Sequence, residues 1–413
     1  MSFTHHSRKA TPRSGLAVTG ALALLSTGAL VGALQSTPDA RAEVVPDAQT
    51  QQDGQWLTGY WHNFDNGSTV MPLADVPSEY NLIAVAFADN HPELPGGITF
   101  DLASDELDGY TEQEFRDDIA AIQEEGRKVI ISVGGEVGHV DVTNPTEADN
   151  FAETTHELME DYGFDGVDID LEHGIDAEHM SQALHDLSDR ADSAPIITMA
   201  PQTIDFQGPE YGYYQLAENI SDILTIVNMQ YYNSGSMLGC DGQVYEQGTS
   251  DFVAALACIQ LEMGLDPGQV GLGLPATPSA AGGGHLAPGE VVDALDCLEE
   301  GTNCGSFSPD SAYGPIGGVM TWSINWDATN GHDFANTISA RLGAGPGNGG
   351  EPTEEPTEEP DDCTASPWSA ETAYNNGDVV SHEGAEYSAQ WWTQGEEPGT
   401  TGEWGAWELI GAC

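Results

Sequence analysis

Eight short apolar runs recur between residues 55 and 342, and their spacing limits the fold more than any other feature. The runs are WLTGYW (56–61), NLIAVAFA (81–88), KVIISVGG (128–135), GVDIDLE (166–172), PIITMAPQ (195–202), LTIVNMQYY (224–232), VGLGLPA (270–276) and GGVMTWS (317–323). Segments with helical signals separate them. Thr111-Glu112-Gln113-Glu114 and Thr146-Glu147-Ala148-Asp149 read as capping boxes, and the helices they open should stop near Gly126 and Gly163. Asp176 reads as the N-cap of a helix in which Met180, Leu184 and Leu187 share one face. Strands alternating with helices in this way predict an α/β chain, a (β/α)8 TIM barrel. The alternative is an open doubly wound sheet, which is disfavoured because no Gly-rich phosphate loop follows the first strand.

The fourth run departs from the rest. A parallel strand buried on both faces should be apolar throughout, yet Asp168, Asp170 and Glu172 alternate with Val167, Ile169 and Leu171. Residues two apart share a face, so the three acids line up at ~6.5 Å intervals. The apolar set must meet the helices, which leaves the acids pointing into the barrel toward its C-terminal mouth. Burial and mutual repulsion should then raise the pKa of at least one of them, as a proton donor working near neutral pH requires. A calcium loop or an internal hydrogen-bonded network is the alternative use of such acids. His173 stands where the turn glycine of a calcium loop belongs.

Nine Lys and Arg stand against 68 Asp and Glu, a formal net charge of -59. A surface this anionic repels phosphates, so nucleic acid is not expected as a partner, and it suggests a salty habitat or, equally, the solubility needs of an ordinary secreted enzyme. Arg8, Lys9 and Arg13 precede the apolar stretch 15–34, and Ala40-Arg41-Ala42 follows it, which is the pattern of a secretory signal peptide occupying residues 1–42. A retained membrane anchor is the alternative; with the leader removed, no membrane segment is expected to remain, and the chain is expected outside the cell as a monomer. Six cysteines fit that oxidising destination, and of the fifteen possible pairings proximity and domain boundaries favour Cys240–Cys258, Cys297–Cys304 and Cys363–Cys413. No Cys or His group has zinc-like spacing, so neither a metal nor a cofactor is expected.

After a short segment at 43–54, the barrel is expected to span 55–342. A Pro/Thr/Glu-rich linker (343–362) lacks the apolar side chains for a core and should separate the barrel from a small module at 363–413. That module holds Trp368, Trp391, Trp392, Trp404 and Trp407, too many large rings for so short a chain to bury. Adjacent strand residues face opposite ways, so Trp391 or Trp392 should be exposed, and flat rings suit stacking on pyranose faces.

The acids stand in the D-x-x-D-x-D-x-E spacing, from Asp165 to Glu172, that resembles the signature of glycoside hydrolase family 18, the chitinases and their relatives. The fold of that family is a (β/α)8 barrel with this motif on the fourth strand. Other segments match in order. Ser132, Gly134 and Gly135 resemble the SxGG of strand three, and Met199 and Gln202 lie in the strand-five motif. Gln230, Tyr232 and Asn233 lie in that of strand six, with Asn233 where many members carry Asp, and Trp322 is on strand eight. Taken singly, the glycines are equally read as relief of crowding, and Trp322 or Tyr232 as core. The resemblance implies a retaining, substrate-assisted reaction. Glu172 would be general acid and then base, Asp170 would orient the sugar's acetamido group with Tyr232, and Asp168 would support Asp170. Ser132, Gly134, Gly135, Met199, Gln202, Gln230, Asn233 and Trp322 would bind substrate.

Between the seventh and eighth strands there is no room for the α+β insertion that walls the cleft of many members, which implies an open groove and endo-acting cleavage. Residues 373–399 resemble carbohydrate-binding modules of families 5 and 12, small all-β domains. Chitin and chito-oligosaccharides are therefore the expected partners. An endo-β-N-acetylglucosaminidase acting on N-glycans and a non-catalytic chitin-binding lectin are the alternatives.

Overall fold

The computed structural model describes residues 54–343 and most of 368–412. The expected leader (1–42), nearly all of the linker, Trp404, Cys363 and Cys413 lie outside the described residues. Eight parallel strands close on themselves in the order β1 (Trp56–His62), β2 (Leu82–Asn90), β4 (Lys128–Gly135), β5 (Gly166–Leu171), β6 (Ile196–Met199), β7 (Ile226–Gln230), β10 (Val270–Pro275) and β11 (Gly318–Trp322). β1 seals the barrel by pairing with both β11 and β2. The strand β3 (Ile98–Thr99) is an antiparallel addition to the end of β2.

Alternation along these strands divides the apolar side chains into two cores. Val167, Ile169, Ile197 and their neighbours pack outward against α1 (Glu112–Glu124), α2 (Pro145–Tyr162), α3 (Ala177–Arg190), α4 (Gly212–Asn219), α5 (Ser250–Met263), α6 (Pro288–Glu300) and α8 (Asp333–Leu342), while the short α7 (Ile324–Thr329) follows β11. The lumen holds a smaller set, among them Tyr60, Leu82, Ala84, Ile130 and Met320. Thr111 and Glu114 form the expected reciprocal cap of α1, and Asp176 caps α3. α2 differs: it opens on Asn144, whose Oδ1 accepts from the Thr146 and Glu147 amides at 3.1 Å, with Pro145 in the first turn. Asn followed by Pro is the stronger start, so Thr146 falls inside the helix.

Among the described residues, the segment from β10 to β11 contains α6 and loops but no strand. A hairpin absent from the sequence expectation follows β7, formed by β8 (Ser236–Leu238) and β9 (Val244–Glu246). Its turn is tied to α5 by the disulfide Cys240–Cys258, and Cys297–Cys304 closes the end of α6. The C-terminal residues form a two-stranded pair of β12 (Ala373–Tyr374) with β15 (Thr393–Gln394). Beside it is a sheet of β13 (Val379–His382), β14 (Ala385–Ala389) and β16 (Trp407–Ala412). Tyr374, Val380, Ala389, Ala406 and Trp407 make its core.

Candidate active site

Asp168 is held from three strands at once. Ser132 on β4 and Thr198 on β6 are its register partners on either side, and Tyr60 reaches it from β1. Their hydroxyls donate to its carboxylate at 2.7, 2.5 and 2.6 Å respectively. Burial pushes this carboxyl above the usual range, while the three donors pull it back.

Asp170, two residues on, has one donor, the Gln230 amide at 2.8 Å. Burial first, then the charges of Asp168 and Glu172, push its carboxyl well above the ordinary value. Beside it, Gly134 has φ 119°, and a Cβ there would lie 2.2 Å from the Asp170 carbonyl oxygen. A Cβ on Gly135 would meet the Phe87 ring at 2.7 Å. The two glycines thus relieve crowding, and the first of them relieves it against the acid strand itself.

Glu172 follows the end of β5 and is partly exposed. The Gln202 amide approaches one of its oxygens at 3.3 Å and the Gln230 amide the other at 3.5 Å. Both glutamines therefore have carboxylate partners of their own. Gln230 also donates to the Ala200 carbonyl at 2.9 Å, which fixes its amide between Asp170 and Glu172. Asp205, which accepts from the Gln202 backbone, is pushed up to about 6, chiefly by burial. Tyr232 is buried, and its hydroxyl is pushed up by burial and by the charges of Asp170, Glu172 and Asp168, which places it within electrostatic reach of all three acids.

Trp322 is half-buried on a bed of rings. Its centroid lies 4.8 Å from His62, 5.4 Å from Tyr60 and 5.8 Å from Phe87, the last nearly parallel at 17°. Phe64 stacks on His62 at 4.6 Å. Burial lowers the His62 pKa to about 3, so the ring under the tryptophan is neutral.

The structure separates the remaining sequence candidates. Asn233 is exposed with φ 52°, and its backbone and side chain exchange hydrogen bonds with Gly283 at 3.0 and 3.2 Å, which ties the end of β7 to the loop after β10. Met199 does not reach the site. Thr198 and Ala200 face the lumen, so Met199 between them is turned outward into the core shared with the helices. Trp391 and Trp392 are both exposed, at 48% and 62%. They lie on a bend before β15 and not in a strand, so the alternation argument that would have buried one of them does not apply. Sequence reasoning missed Tyr60, Thr198 and Phe87, although the alternation of Tyr60, His62 and Phe64 at the end of the first run and just past it was a usable signal.

Among the described residues one group has metal-like proximity, Cys240, Cys258 and Glu262, and its two sulfurs are bonded to each other. No described helix is long and apolar enough to cross a membrane.

A closed (β/α)8 barrel with two neighbouring buried carboxylates, a third partly exposed and a tryptophan platform beside them has the layout of a barrel glycosidase. The model of the glycosyl hydrolases family 18 matches residues 57–335, and the chain belongs to that family. Residues 367–408 match the carbohydrate-binding module family 5/12. Chitinase D of Niallia circulans is 36% identical over 325 residues, covering 68% of this chain and 60% of that protein. The chain spans only 56 to 60% of the length of three such curated relatives. Among solved structures, a protein assigned as chitinase A from Streptomyces coelicolor is 57% identical with a TM-score of 0.69, over 70% of this chain and 99% of that one. A family 18 chitinase from Chromobacterium violaceum is 32% identical with a TM-score of 0.66, over 70% and 83% respectively.

Proposed function

We propose that the protein is a secreted chitinase that cleaves β-1,4 bonds between N-acetylglucosamine units with retention of configuration. The supporting observation is the gradient along β5 and just past its end: Asp168 saturated with donors, Asp170 buried with one donor, and Glu172 partly exposed at the mouth. Of these three acids, Glu172 alone is exposed enough to reach a glycosidic oxygen. It protonates the leaving oxygen and later takes a proton from the attacking water. The substrate's own acetamido carbonyl attacks the anomeric carbon. Asp170 accepts from the acetamido N–H and offsets the positive charge of the cyclic intermediate, Tyr232 donates to the acetamido carbonyl, and Trp322 supports the sugar face.

The loop-and-helix segment between β10 and β11 supports an open groove and endo-acting cleavage. Residues 1–42 serve export, 343–362 act as a spacer, and 363–413 bind chitin through Trp391 and Trp392. The protein acts as a monomer, without metal or cofactor.

Chitotetraose and a high-mannose glycoprotein, assayed side by side, test the reading. Hydrolysis of chitotetraose alone is expected. Glycan release alone would mark an N-glycan hydrolase, and binding without turnover would mark a lectin. Glu172→Gln should lower chitotetraose turnover by ~10²- to 10⁴-fold, and activity within tenfold of wild type would remove Glu172 from the role of proton donor.

A further inference from the structure

The strand that carries the acids loses one neighbour before Glu172 is reached. β6 pairs with β5 only as far as Ile169 and Met199, and the Ala200 amide makes the last contact, to the Ile169 carbonyl at 3.0 Å. β4 continues alongside on the other edge, to Gly135 opposite Leu171. On the abandoned edge a side chain takes over. The Leu171 amide donates to the Tyr213 hydroxyl oxygen at 2.7 Å. That hydroxyl lies 3.2 and 3.3 Å from the Ile169 and Leu171 carbonyl oxygens, to either of which it donates. Tyr213 is buried in the first turn of α4. The helix start is pressed onto the turn that follows Glu172, since a Cβ on Gly212 would sit 2.5 Å from the Ile175 carbonyl oxygen.

Glu172 needs such a support because its own contacts are long. Asp168 is fixed by three hydroxyl donors at 2.5–2.7 Å, whereas the amides that approach Glu172 lie at 3.3 and 3.5 Å. The direction of the Glu172 side chain is therefore inherited from the backbone at Leu171. We propose that Tyr213 is a positioning residue of the hydrolytic reaction, its hydroxyl replacing the missing strand and setting the line along which Glu172 leaves β5. This inference rests on the reading of Glu172 as proton donor.

The test compares full-length wild type with Tyr213→Phe, Tyr80→Phe and Glu172→Gln on chitotetraose. Tyr80 is the control, since it is equally buried and donates its hydroxyl to Asp327 at 2.7 Å on the far side of β1. Tyr213→Phe should lower kcat by ~10- to 100-fold, because a small misplacement of a reacting group is enough for a loss of that size. KM should stay within twofold. Tyr80→Phe should lower Tm as much but leave kcat within twofold of wild type. The proposal is overturned if Tyr213→Phe keeps its kcat, if only its KM moves, or if Tyr80→Phe loses as much kcat. Should Tyr213→Phe fail to fold, Gly212→Ala retains the hydroxyl and displaces it, and a wild-type kcat in that variant is equally fatal. An active Glu172→Gln would instead overturn the proton-donor reading, while an inactive Glu172→Gln beside a wild-type-like Tyr213→Phe would overturn the positioning role alone.

Discussion

The barrel mouth and the C-terminal module both present tryptophan, but they hold it in opposite ways. Trp322 rests on His62, Tyr60 and Phe87, and Tyr60 in turn donates to the buried Asp168. Trp391 and Trp392 stand exposed on a bend. A ring that must hold a sugar in one reactive pose needs support on its hidden face and at its edges. A ring that only retains a flat polysaccharide surface needs exposed area and little else. On the proposed function, the mouth should therefore be sensitive to single atoms, and the module to the loss of whole rings.

At the barrel mouth, Asp170→Asn should have the largest effect. Chitotetraose turnover should fall by ~10²- to 10³-fold, since on the proposed mechanism a charge that offsets the developing positive centre is removed. The same variant should be more stable than wild type at pH 7. A carboxyl whose pKa is higher in the folded than in the unfolded state binds more protons when folded, so its contribution to stability declines as pH rises from ~4 toward the folded value. Asp170 is such a group, and asparagine keeps an oxygen for the Gln230 amide without the charge. Melting at pH 7 should rise by about 2–4 °C, and the gap should close near pH 4. A lower Tm at pH 7 would show that the mouth is not held under electrostatic tension.

Trp322→Ala should have the next largest effect, ~10- to 100-fold on kcat/KM for soluble oligomers. Its neighbours His62 and Phe87 should shift into the space, so Trp322→Phe should recover part of the loss. If Trp322→Ala lowered affinity for chitin without touching turnover, the mouth tryptophan would be doing the same work as those of the module.

What the sequence reveals and what it conceals divide along physical lines. Strands of a closed parallel barrel are apolar on both faces and bounded by turns, so the apolar run 128–135 and the strand β4, Lys128–Gly135, have the same limits. The acids of β5 are legible because polar residues alternate where they should not. Met199 is misplaced when its motif is read as a unit, whereas the pleat turns Thr198 in and Met199 out. The hairpin β8–β9 gives no signal, since its strands are three residues each and largely exposed, and a disulfide anchors its turn. The partners of the acids are hidden by distance along the chain. Tyr60 is 108 residues from Asp168, and Tyr213 is 42 from Leu171, and nothing local to either tyrosine names its partner.

The smallest expected effect belongs to the module. Replacing both Trp391 and Trp392 with alanine should leave kcat and KM on chitotetraose unchanged, because neither ring belongs to the packed core of Tyr374, Val380, Ala389, Ala406 and Trp407. Release of soluble sugar from crystalline chitin should fall a few-fold, as each lost stacking contact weakens surface retention by ~0.5–1.5 kcal/mol. Trp407→Ala gives the contrast within the module, since it empties the core and should unfold the domain; its effect on crystalline chitin should equal that of deleting 363–413. A double variant, Trp391→Ala with Trp392→Ala, that slowed equally on soluble and crystalline substrate would place these rings in catalysis. The division between a packed mouth and an open binding face would then fail at its simplest point.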